Sequence, residues 1–437
     1  MIEYRNLRIA LLGAGSVGAQ VADQILNHGD ELAARIGAGI ELIGVAVRDP
    51  KSKRTANIPA NLITTDAEKL VREADIVIEL MGGIEPARTL VLAAINAGAD
   101  IVTANKALLA HHGPEIFEAA AQVGAQVYYE AAVGGAIPII RPLRDSLAGD
   151  RVTRILGIVN GTTNFILDRI DTMGESMEDS LAMAQQLGYA EADPTADVEG
   201  FDAAQKASIL ASLAFHTHVP VEGVYREGIT NVTREQVQSA RKAGYVVKLL
   251  AICERVVSAD GTEGVSARVY PAMVPDTHPL AAVHGANNAV FVEAELAGPL
   301  MFYGAGAGGI QTSSAVLGDL VSAARRHVVG GPGVAESTHA TFPILPIADI
   351  RTRYHISLEV TDAPGVLADI ASLFAAHGVS VESVEQKAIG ADAQSATATL
   401  VIGTHEATEA DLAATVDALE ASTVVQRVVG VLRVEGL

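Results

Sequence analysis

The chain has 437 residues, 49% of them hydrophobic and 19% charged, a composition typical of a folded protein with about two to four domains. It carries 31 lysines and arginines against 52 aspartates and glutamates, which gives a formal net charge of −21. Because a strongly negative surface repels phosphate groups, this balance argues against nucleic acid as a partner.

Targeting and membrane insertion are not indicated by the sequence. The stretch MIEYRNLRIALLG has charged residues at positions 3, 5 and 8, which leaves no apolar run of signal-peptide length. The uncharged stretch 296–318 holds six glycines and a proline, so we interpret it as a loop-rich site rather than a membrane span. The single cysteine, Cys253, lies in the predicted helical stretch VVKLLAICERV, where we expect a core thiol. We expect a cytoplasmic protein without disulfides or membrane contacts.

Between residue 7 and about residue 130, short apolar runs alternate with helical patterns. LRIALL, IELIGVAV, DIVIEL, DIVTA and QVYYE are predicted strands, and SVGAQVADQIL and ARTLVLAAINAG are predicted helices. This alternation predicts a doubly wound parallel sheet, an α/β Rossmann domain over residues 1–134. Ligands of such sheets bind at the carboxyl ends of the strands.

The motif GAGSVG at residues 13–18 follows the first predicted strand and opens a predicted helix. Its first glycine permits a tight turn, its second lets a pyrophosphate approach the backbone, and its third permits close helix packing. The N-terminus of the helix would then face the phosphates of a dinucleotide. We therefore predict a cofactor-binding loop that consists of Gly13, Gly15, Ser16, Val17 and Gly18.

The second predicted strand ends in VAVRDPKSKR, where the ribose of the dinucleotide would lie. Asp49 suits the 2′-hydroxyl of NAD(H), but Arg48 and the cations after Asp49 favour the 2′-phosphate of NADP(H). We predict NADP(H), with NAD(H), use of both cofactors and a solvated basic turn as alternatives. Lys106, after DIVTA, lies at the same predicted edge and either polarises a carbonyl or is an ordinary first-turn lysine.

Residues 135–345 are predicted to form a second, α+β domain. Its helical patterns are SMEDSLAMAQQLG, FDAAQKASILASLAFHT and REQVQSARKAGYVVKLLAICERV. The tail at residues 354–437 follows the proline-containing boundary FPILPIADIRTR. Its pattern of strand, helix, strand, strand, helix and strand predicts a ferredoxin-like βαββαβ unit.

The stretch from Gly188 to Lys206 is rich in carboxylates, among them Glu191 and Asp197. Asp202 and Lys206 are four residues apart on one predicted helix face, where each favours the charged form of the other. They are candidates for acid–base chemistry beside an anionic pocket for a substrate ammonium group. A surface ion pair is the commoner outcome of this spacing.

Two further glycine-rich stretches are candidate ligand sites. Glu130 precedes AAVGGAIPI, where one carboxylate and exposed carbonyls suit a hard cation, although a bare turn is the more frequent meaning. GAGAGG at residues 304–309 follows no clear predicted strand, and its flexible backbone is able to approach a cofactor closely. No transition-metal site is predicted.

GAGSVG, VTANKALLA, YYEAAVGGAIPII, NGTTNFIL and LGYAEADPTADVEGFDAAQK together resemble homoserine dehydrogenases over about residues 5–345. DAPGVL at residues 362–367 resembles the amino-acid-binding ACT domain. The resemblance implies reduction of L-aspartate 4-semialdehyde to L-homoserine by NAD(P)H, a step toward threonine and methionine. It also implies a homodimer or homotetramer and feedback by threonine, with Asp362, Gly365 and Val366 at the effector site.

The resemblance also implies roles for individual residues. The catalytic lysine is Lys206, with Asp202 orienting it, and Lys106 assists or is itself the principal acid. The expected substrate contacts are Gly188, Glu191, Asp197 and Asp202. The expected cofactor contacts, besides the 13–18 loop and Arg48, are Lys106, Gly188, Gly306 and Gly308. A sodium ion is expected at Glu130, Val133, Gly135 and Ile137.

Two alternatives come from other classes of protein. A phosphorylating semialdehyde dehydrogenase needs a cysteine thiolate, and the environment predicted for Cys253 does not suit one. A nucleotide-binding sensor without turnover would keep the glycine loop and the tail. The presence of Glu191, Asp202, Lys206 and Lys106 argues against such a sensor.

Overall fold

The computed structural model describes residues 5–258, 261–330, 336, 338–389 and 397–436. The chain divides into two units, each made of three segments. The first unit consists of Met1–Gly161, Gln205–Glu222 and Asn287–Thr341, and the second of Thr162–Ala204, Gly223–Ala286 and Phe342–Leu437. The domain boundaries suggested by the sequence stay a prediction. Within the described ranges, no helix is both long enough and apolar enough to cross a membrane.

Most helices lie where apolar periodicity predicts them. Several begin after a side chain that accepts a hydrogen bond from the first turn, such as Asn105 and Thr233, because the first amides of a helix have no partner within it. The helices are α1 (Ser16–Asn27), α2 (Gly29–Ile36), α3 (Ala67–Arg72), α4 (Ala87–Asn96), α5 (Lys106–Val123), α6 (Gly161–Met173), α7 (Met177–Gln186), α8 (Thr195–Val198), α9 (Phe201–Phe215), α10 (Arg234–Lys242), α11 (Gly309–Val329), α12 (Val366–Ala376) and α13 (Glu409–Glu420).

The strands form one parallel sheet and several mainly antiparallel pairings. They are β1 (Leu7–Leu12), β2 (Ile40–Ala46), β3 (Ile63–Thr64), β4 (Ile76–Glu79), β5 (Asp100–Thr103), β6 (Val127–Tyr128), β7 (Val152–Ile158), β8 (Tyr225–Arg226), β9 (Tyr245–Val257), β10 (Glu263–Pro275), β11 (Asn287–Ala294), β12 (Gly298–Ala305), β13 (Arg351–Thr361), β14 (Val381–Ile389), β15 (Thr397–Thr404), β16 (Ala407–Thr408) and β17 (Val425–Val434). In the first unit, β11 pairs with β7 and with β12.

The parallel sheet of the first unit has the strand order β3-β2-β1-β4-β5-β6. Its strands are short apolar runs because helices cover both faces, and Ile9 and Leu11 on β1 are fully buried. Helix α11 contributes Val316 and Leu320 to the same core. The α/β doubly wound prediction is confirmed, and its carboxyl edge is where the glycine loop begins.

Two local predictions are wrong. The pattern predicted as a single helix over residues 234–256 is α10 followed by strand β9, with Gly244 at φ +82° between them. Cys253 is therefore a buried strand residue, not a helical one, although it is a core thiol as expected. The predicted loop at residues 296–318 contains β12 and the start of α11. Short apolar runs are ambiguous between strand and helix until tertiary pairing decides.

The tail in the second unit has the predicted βαββαβ order. Strand β13 lies between β17 and β15, and β15 pairs with β14, all antiparallel. Residues 390–396, the start of the predicted strand SATATLVIG among them, lie outside the described ranges. Strand β17 also pairs with β10 in parallel, Ala272 opposite Arg433. The ferredoxin-like prediction is confirmed, and its last strand joins the rest of the unit.

Candidate active site

The three glycines of the 13–18 loop are required for three different reasons. Gly13 has φ +94°, and a Cβ there would lie 2.7 Å from the carbonyl oxygen of Leu80. A Cβ on Gly18 would lie 2.2 Å from the carbonyl oxygen of Gly13, whereas one on Gly15 would meet nothing within 4 Å. The first and third glycines thus shape the turn, and the second leaves open space in front of helix α1. Ser16 and Val17 form the first turn of that helix.

A cavity of about 900 Å³ lies in front of the loop in the first unit. It is lined by Gly13, Gly15, Arg48, Lys53 and Arg54, among others. The size of the cavity and the glycines that line it fit a dinucleotide.

Asp49 is turned back on its own loop. Its carboxylate accepts hydrogen bonds from the backbone N–H of Lys51 at 2.9 Å and from the hydroxyl of Ser52 at 3.0 Å. These donors, the Lys51 N–H first, lower the pKa of Asp49. The Arg54 guanidinium donates to the carbonyl oxygen of Asp49 at 2.6 Å and so stiffens the turn. Arg48, Lys53 and Arg54 line the cavity together with Asp49, whose carboxylate accepts two hydrogen bonds from its own turn.

Glu79, which the sequence analysis missed, organises the edge of the parallel sheet. This fully buried side chain ends β4 and accepts hydrogen bonds from the backbone N–H of Met81 at 2.8 Å and from the Thr103 hydroxyl at 2.7 Å. Asn105 caps α5 and donates to the carbonyl oxygen of Gly83 at 2.7 Å. Lys106 is the first residue of α5 and is half-buried. The only sequence signal for Glu79 is a charged residue at the end of an apolar strand.

Lys206 is a buried amine. Its side chain projects from α9, the residue is 9% exposed, and Nζ donates to the carbonyl oxygen of Val159 at 2.6 Å within the first unit. Val159 directly follows strand β7. Asp202 lies one turn earlier on α9 and is 8% exposed. The interpretation of this pair as a solvated surface ion pair is therefore wrong, because both residues are buried.

The acid-rich segment lies in the second unit and has its own supports. Gly188 follows α7 with φ +77°, and Glu191 is exposed, with its carbonyl oxygen accepting a hydrogen bond from the Gln185 amide at 3.1 Å. Asp193 accepts hydrogen bonds from the backbone N–H of Thr195 at 3.1 Å and from its hydroxyl at 2.6 Å, just before α8. Other predicted substrate residues, Asp197 and Asp202, follow in α8 and α9. Between residues 188 and 202, Asp193 therefore stabilises the local backbone, whereas Glu191 is exposed.

In the candidate cation loop, residues 130–139, the Glu130 carboxylate has hydrogen-bond donors from the protein. The Glu130 carboxylate is buried and accepts hydrogen bonds from the backbone N–H groups of Ile139, Ile140 and Arg141 at 2.6, 2.8 and 3.0 Å. Three such bonds leave about one of the four lone-pair sites of the carboxylate for a cation. The carbonyl groups of Val133, Gly135 and Ile137 remain in a turn where Gly134 and Gly135 both have positive φ. Within the described residues, no group of three or more His, Cys, Asp or Glu side chains suits a metal ion.

An ion pair between a buried aspartate and a half-buried arginine lies next to this loop. Asp319 on α11 accepts from the backbone N–H of Glu130 at 2.8 Å and pairs with the Arg141 guanidinium at 2.5 Å. Burial raises the pKa of Asp319 to about 6, against the opposing effect of Arg141. The pair anchors α11 to the cation loop.

The GAGAGG stretch joins these parts of the first unit. A Cβ on Gly306 would overlap the Asn288 side chain at 2.1 Å, and a Cβ on Gly135 would lie 2.5 Å from the carbonyl oxygen of Gly306. Gly308 has φ +121° and precedes α11, whose first residue would place a Cβ 2.7 Å from the carbonyl oxygen of Ser16. Glycine is therefore needed where the cation loop, the GAGAGG stretch and the cofactor loop meet.

The expected effector residues line one cavity in the tail. Asp362, Gly365 and Val366 border a space of about 430 Å³ between β13 and α12. The Gln386 amide donates to the Asp362 carboxylate at 3.3 Å. Gly365, at φ +97°, immediately precedes α12.

A second buried lysine was missed because it lies in an apolar run. Lys248 on β9 donates from Nζ to Asn164 Oδ1 at 3.0 Å and to the carbonyl oxygen of Val283 at 2.6 Å. Burial lowers its pKa to about 8, although Asp168 and Asp171 oppose this shift. Asn164 belongs to NGTTNFIL, so this lysine holds that motif in place.

Comparison with known proteins agrees with this geometry. The family model for homoserine dehydrogenase matches residues 138–321, the homoserine dehydrogenase NAD-binding domain matches residues 13–130, and the ACT domain matches residues 354–422. A homoserine dehydrogenase from Corynebacterium glutamicum is 52% identical over 429 residues, which cover 98% of this chain and 95% of that protein.

Solved structures agree as well. A homoserine dehydrogenase from Thiobacillus denitrificans has a TM-score of 0.90 at 39% identity and covers 99% of both chains. A hyperthermophilic archaeal homoserine dehydrogenase in complex with NADPH has a TM-score of 0.59 at 26% identity and covers 73% of this chain and 97% of that one. The chain therefore belongs to the homoserine dehydrogenase family, NAD(P)-dependent oxidoreductases acting on a CH–OH group, and it ends in an ACT domain.

Proposed function

We propose that this homoserine dehydrogenase reduces L-aspartate 4-semialdehyde to L-homoserine with NADPH, in the cytoplasm, as a step toward threonine and methionine. The observation that carries the proposal is the buried Lys206 amine on α9. Its Nζ lies 2.6 Å from the carbonyl oxygen of Val159, and Asp202 lies one turn earlier on the same helix. A fixed, buried cation is suited to neutralising an alkoxide as it forms.

Lys206 supplies the proton in the proposed reaction. When bound, the reduced nicotinamide supplies a hydride to the aldehyde carbon, and the oxygen of that aldehyde then needs a proton. An ammonium group has three N–H donors, and the bond to Val159 fixes the position of the amine through one of them. Asp202 lies one turn earlier on α9. Lys106 at the sheet edge assists, or is the principal acid if Lys206 only positions the substrate.

The amino-acid part of the substrate needs a carboxylate for its ammonium group. Exposed Glu191 and the neighbouring Asp197, with Gly188 before them, are the proposed contacts. Because these carboxylates do not react, they contribute to orientation rather than to bond making. Their loss would raise KM more than it lowers kcat.

NADP(H) is the proposed cofactor. The cavity before the glycine loop is lined by Arg48, Lys53 and Arg54, three cations against the single carboxylate of Asp49, which already accepts two hydrogen bonds from its own turn. Cations at this position suit a 2′-phosphate. Gly306 and Gly308 would form the opposite wall, and the archaeal relative bound to NADPH supports the same preference.

A sodium ion is proposed at the carbonyl oxygens of Val133, Gly135 and Ile137. Oxygen-only ligands in a tight turn suit a hard monovalent cation. The Glu130 carboxylate is the weakest member of the expected set, because it already accepts three backbone hydrogen bonds. The ion would stabilise the contact of this loop with Gly306.

Threonine is the proposed effector, held in the tail cavity between paired copies of the chain in a homodimer or homotetramer. Asp362 and the loop to Gly365 and Val366 offer a carboxylate and a helix N-terminus to its ammonium and carboxylate groups. Weaker threonine inhibition of a full-length Asp362→Asn variant would support this assignment.

The direct test follows NADPH absorbance with purified protein and L-aspartate 4-semialdehyde. Oxidation of NADPH with formation of homoserine, and a lower KM for NADPH than for NADH, would support the proposal. Binding of NADPH without turnover would contradict it and favour the nucleotide-binding sensor.

A further inference from the structure

The last strand of the tail carries an arginine that bridges two carboxylates. Arg433 Nε and Nη2 contact the two oxygens of Glu409 at 2.8 and 3.1 Å, and Nη1 contacts Glu227 at 2.7 Å. The Arg433 side chain is only 11% exposed. A bidentate guanidinium in such surroundings has a fixed orientation.

Aromatic rings enclose this arginine and extend the network. The guanidinium carbon lies 4.5 Å from the ring centre of Tyr270 and 5.6 Å from that of Tyr354, whose hydroxyl donates to Glu409 at 2.9 Å. Glu409 begins α13 and Tyr354 lies on β13, so both belong to the ACT domain. Glu227, in contrast, lies outside the tail.

Glu227 lies on a short segment that follows β8 and is fixed to β10. Its backbone N–H donates to the carbonyl oxygen of Val269 at 2.8 Å. Two residues later, the N–H of Ile229 donates to the carbonyl oxygen of Val198 at 2.8 Å. The segment therefore connects Arg433 to the residues just before α9.

Residues 226–230 also contact the residues at the start of helix α9. Arg226 donates to the carbonyl oxygen of Glu199 and stacks over the Phe201 ring at 3.6 Å. The Thr230 hydroxyl donates to the Glu199 carboxylate at 3.1 Å. A Cβ on Gly228 would lie 2.3 Å from the carbonyl oxygen of Val198, so the two backbones touch. Asp202 follows Phe201 directly on α9.

From these contacts we infer that Glu227 and Arg433 are positioning residues, through which the ACT domain holds the segment 198–201 and thereby Asp202 in place for substrate binding. The network is continuous from Glu409 to Phe201 and lies wholly within the second unit. This inference rests on the proposed role of Asp202 at the substrate site. One consequence is that removing residues 354–437 would disturb substrate binding even without an effector.

The test measures steady-state kinetics of the full-length protein with L-homoserine and NADP. Glu227→Gln removes the charge that Arg433 holds, and Arg433→Lys keeps a positive charge without the bidentate fork. We expect Glu227→Gln to raise KM for homoserine on the order of 3- to 20-fold and to leave KM for NADP unchanged. Arg433→Lys should raise KM for homoserine less than Glu227→Gln does. In the variant that carries both substitutions, KM for homoserine should be only slightly higher than in Glu227→Gln.

Arg427→Gln is the matched control. Arg427 lies on the same strand and pairs with Glu359 at 2.9 Å, within the tail and largely exposed, so its loss should leave both KM values unchanged. If Glu227→Gln does not fold, Arg433→Lys carries the test alone.

The outcomes separate this inference from the proposed function. An active wild type with unchanged KM for homoserine in folded Glu227→Gln and Arg433→Lys variants would overturn the inference alone, and a fall in thermal stability without a change in KM would do the same. A wild type that does not turn over homoserine would overturn both.

Discussion

The glycine loop of the first unit and the acid-rich segment of the second differ in how their geometry is fixed. Gly13 and Gly18 shape a turn whose close contacts are with each other and with Leu80, which directly follows strand β4. The stretch that leads to Asp202 is instead held by side chains and backbone of residues 226–230. A glycine loop whose geometry is set by its own backbone can be predicted from sequence, whereas a proposed substrate site supported by distant side chains cannot.

The largest expected effect on stability concerns the glycine loop. Gly18→Ala places a Cβ against a carbonyl oxygen and should lower the free energy of unfolding by about 3 kcal/mol or more. Gly15→Ala meets no protein atom and should leave stability unchanged, but it should raise KM for NADPH on the order of 10- to 100-fold. Thermal unfolding measures the stability of Gly18→Ala, and steady-state kinetics measures KM for NADPH in Gly15→Ala. Gly149→Ala is the control for both. An unchanged KM for NADPH in Gly15→Ala would contradict the assignment of the cavity as the cofactor site.

The buried Lys248 should make stability depend on pH in the second unit. Its pKa is lowered from 10.5 to about 8, so the folded state binds its proton less tightly than the unfolded state does. Above pH 10.5 the amine is neutral in both states, and its effect on the free energy of unfolding is then most favourable. As the pH falls from 10.5 toward 8, the unfolded state binds the proton first, and the free energy of unfolding decreases by about 3 kcal/mol in all. The difference in free energy of unfolding between wild type and Lys248→Met should therefore change with pH across this window.

Exposed Lys242 provides the control for that measurement. Lys242→Met makes the same change of side chain at an exposed position of α10. A difference between wild type and Lys248→Met that stays constant from pH 8 to 10.5 would mean that Lys248 is not desolvated in the folded protein.

A smaller effect is expected at Glu130. Glutamine accepts hydrogen bonds through only one oxygen, so Glu130→Gln should lower the free energy of unfolding by about 2 kcal/mol. The sodium dependence of activity should persist, because the proposed ligands are carbonyl oxygens of other residues. Glu118→Gln on the surface of α5 is the control. Unchanged stability together with lost sodium dependence would instead identify the carboxylate as a cation ligand.

The smallest expected effect separates the two cofactors. Lys53→Ala removes a cation that lines the cavity and should raise KM for NADP about 10-fold with KM for NAD unchanged. Lys51 lies in the same turn but does not line the cavity, so Lys51→Ala should change neither value. Equal effects of Lys53→Ala on both cofactors would contradict a 2′-phosphate contact.

Much of the fold was predictable because its signals are local. The run LRIALL, the glycine loop and α1 are contiguous, and the βαββαβ tail follows from periodicity alone. The errors occurred where a local pattern permits two structures, as in the run from Tyr245 to Val257, which became a strand by pairing with β10.

The supporting residues of the site were not predictable, because their partners are distant in the chain. Glu79 meets Thr103 24 residues away, Lys248 meets Asn164 84 residues away, and Arg433 meets Glu227 206 residues away. No spacing rule connects such positions in a single sequence. Lys206 itself was found through its family motif, whereas its bond to Val159 required the structure.

The most direct test of the account compares Lys206→Met with Lys106→Met. We expect Lys206→Met to bind NADPH with wild-type affinity but to lose kcat by a factor on the order of 10² to 10⁴, and Lys106→Met to lose less. NADPH binding would be measured by fluorescence titration and kcat by NADPH oxidation with L-aspartate 4-semialdehyde. A Lys206→Met variant that keeps wild-type kcat, with the loss appearing in Lys106→Met, would contradict the role assigned to the buried lysine.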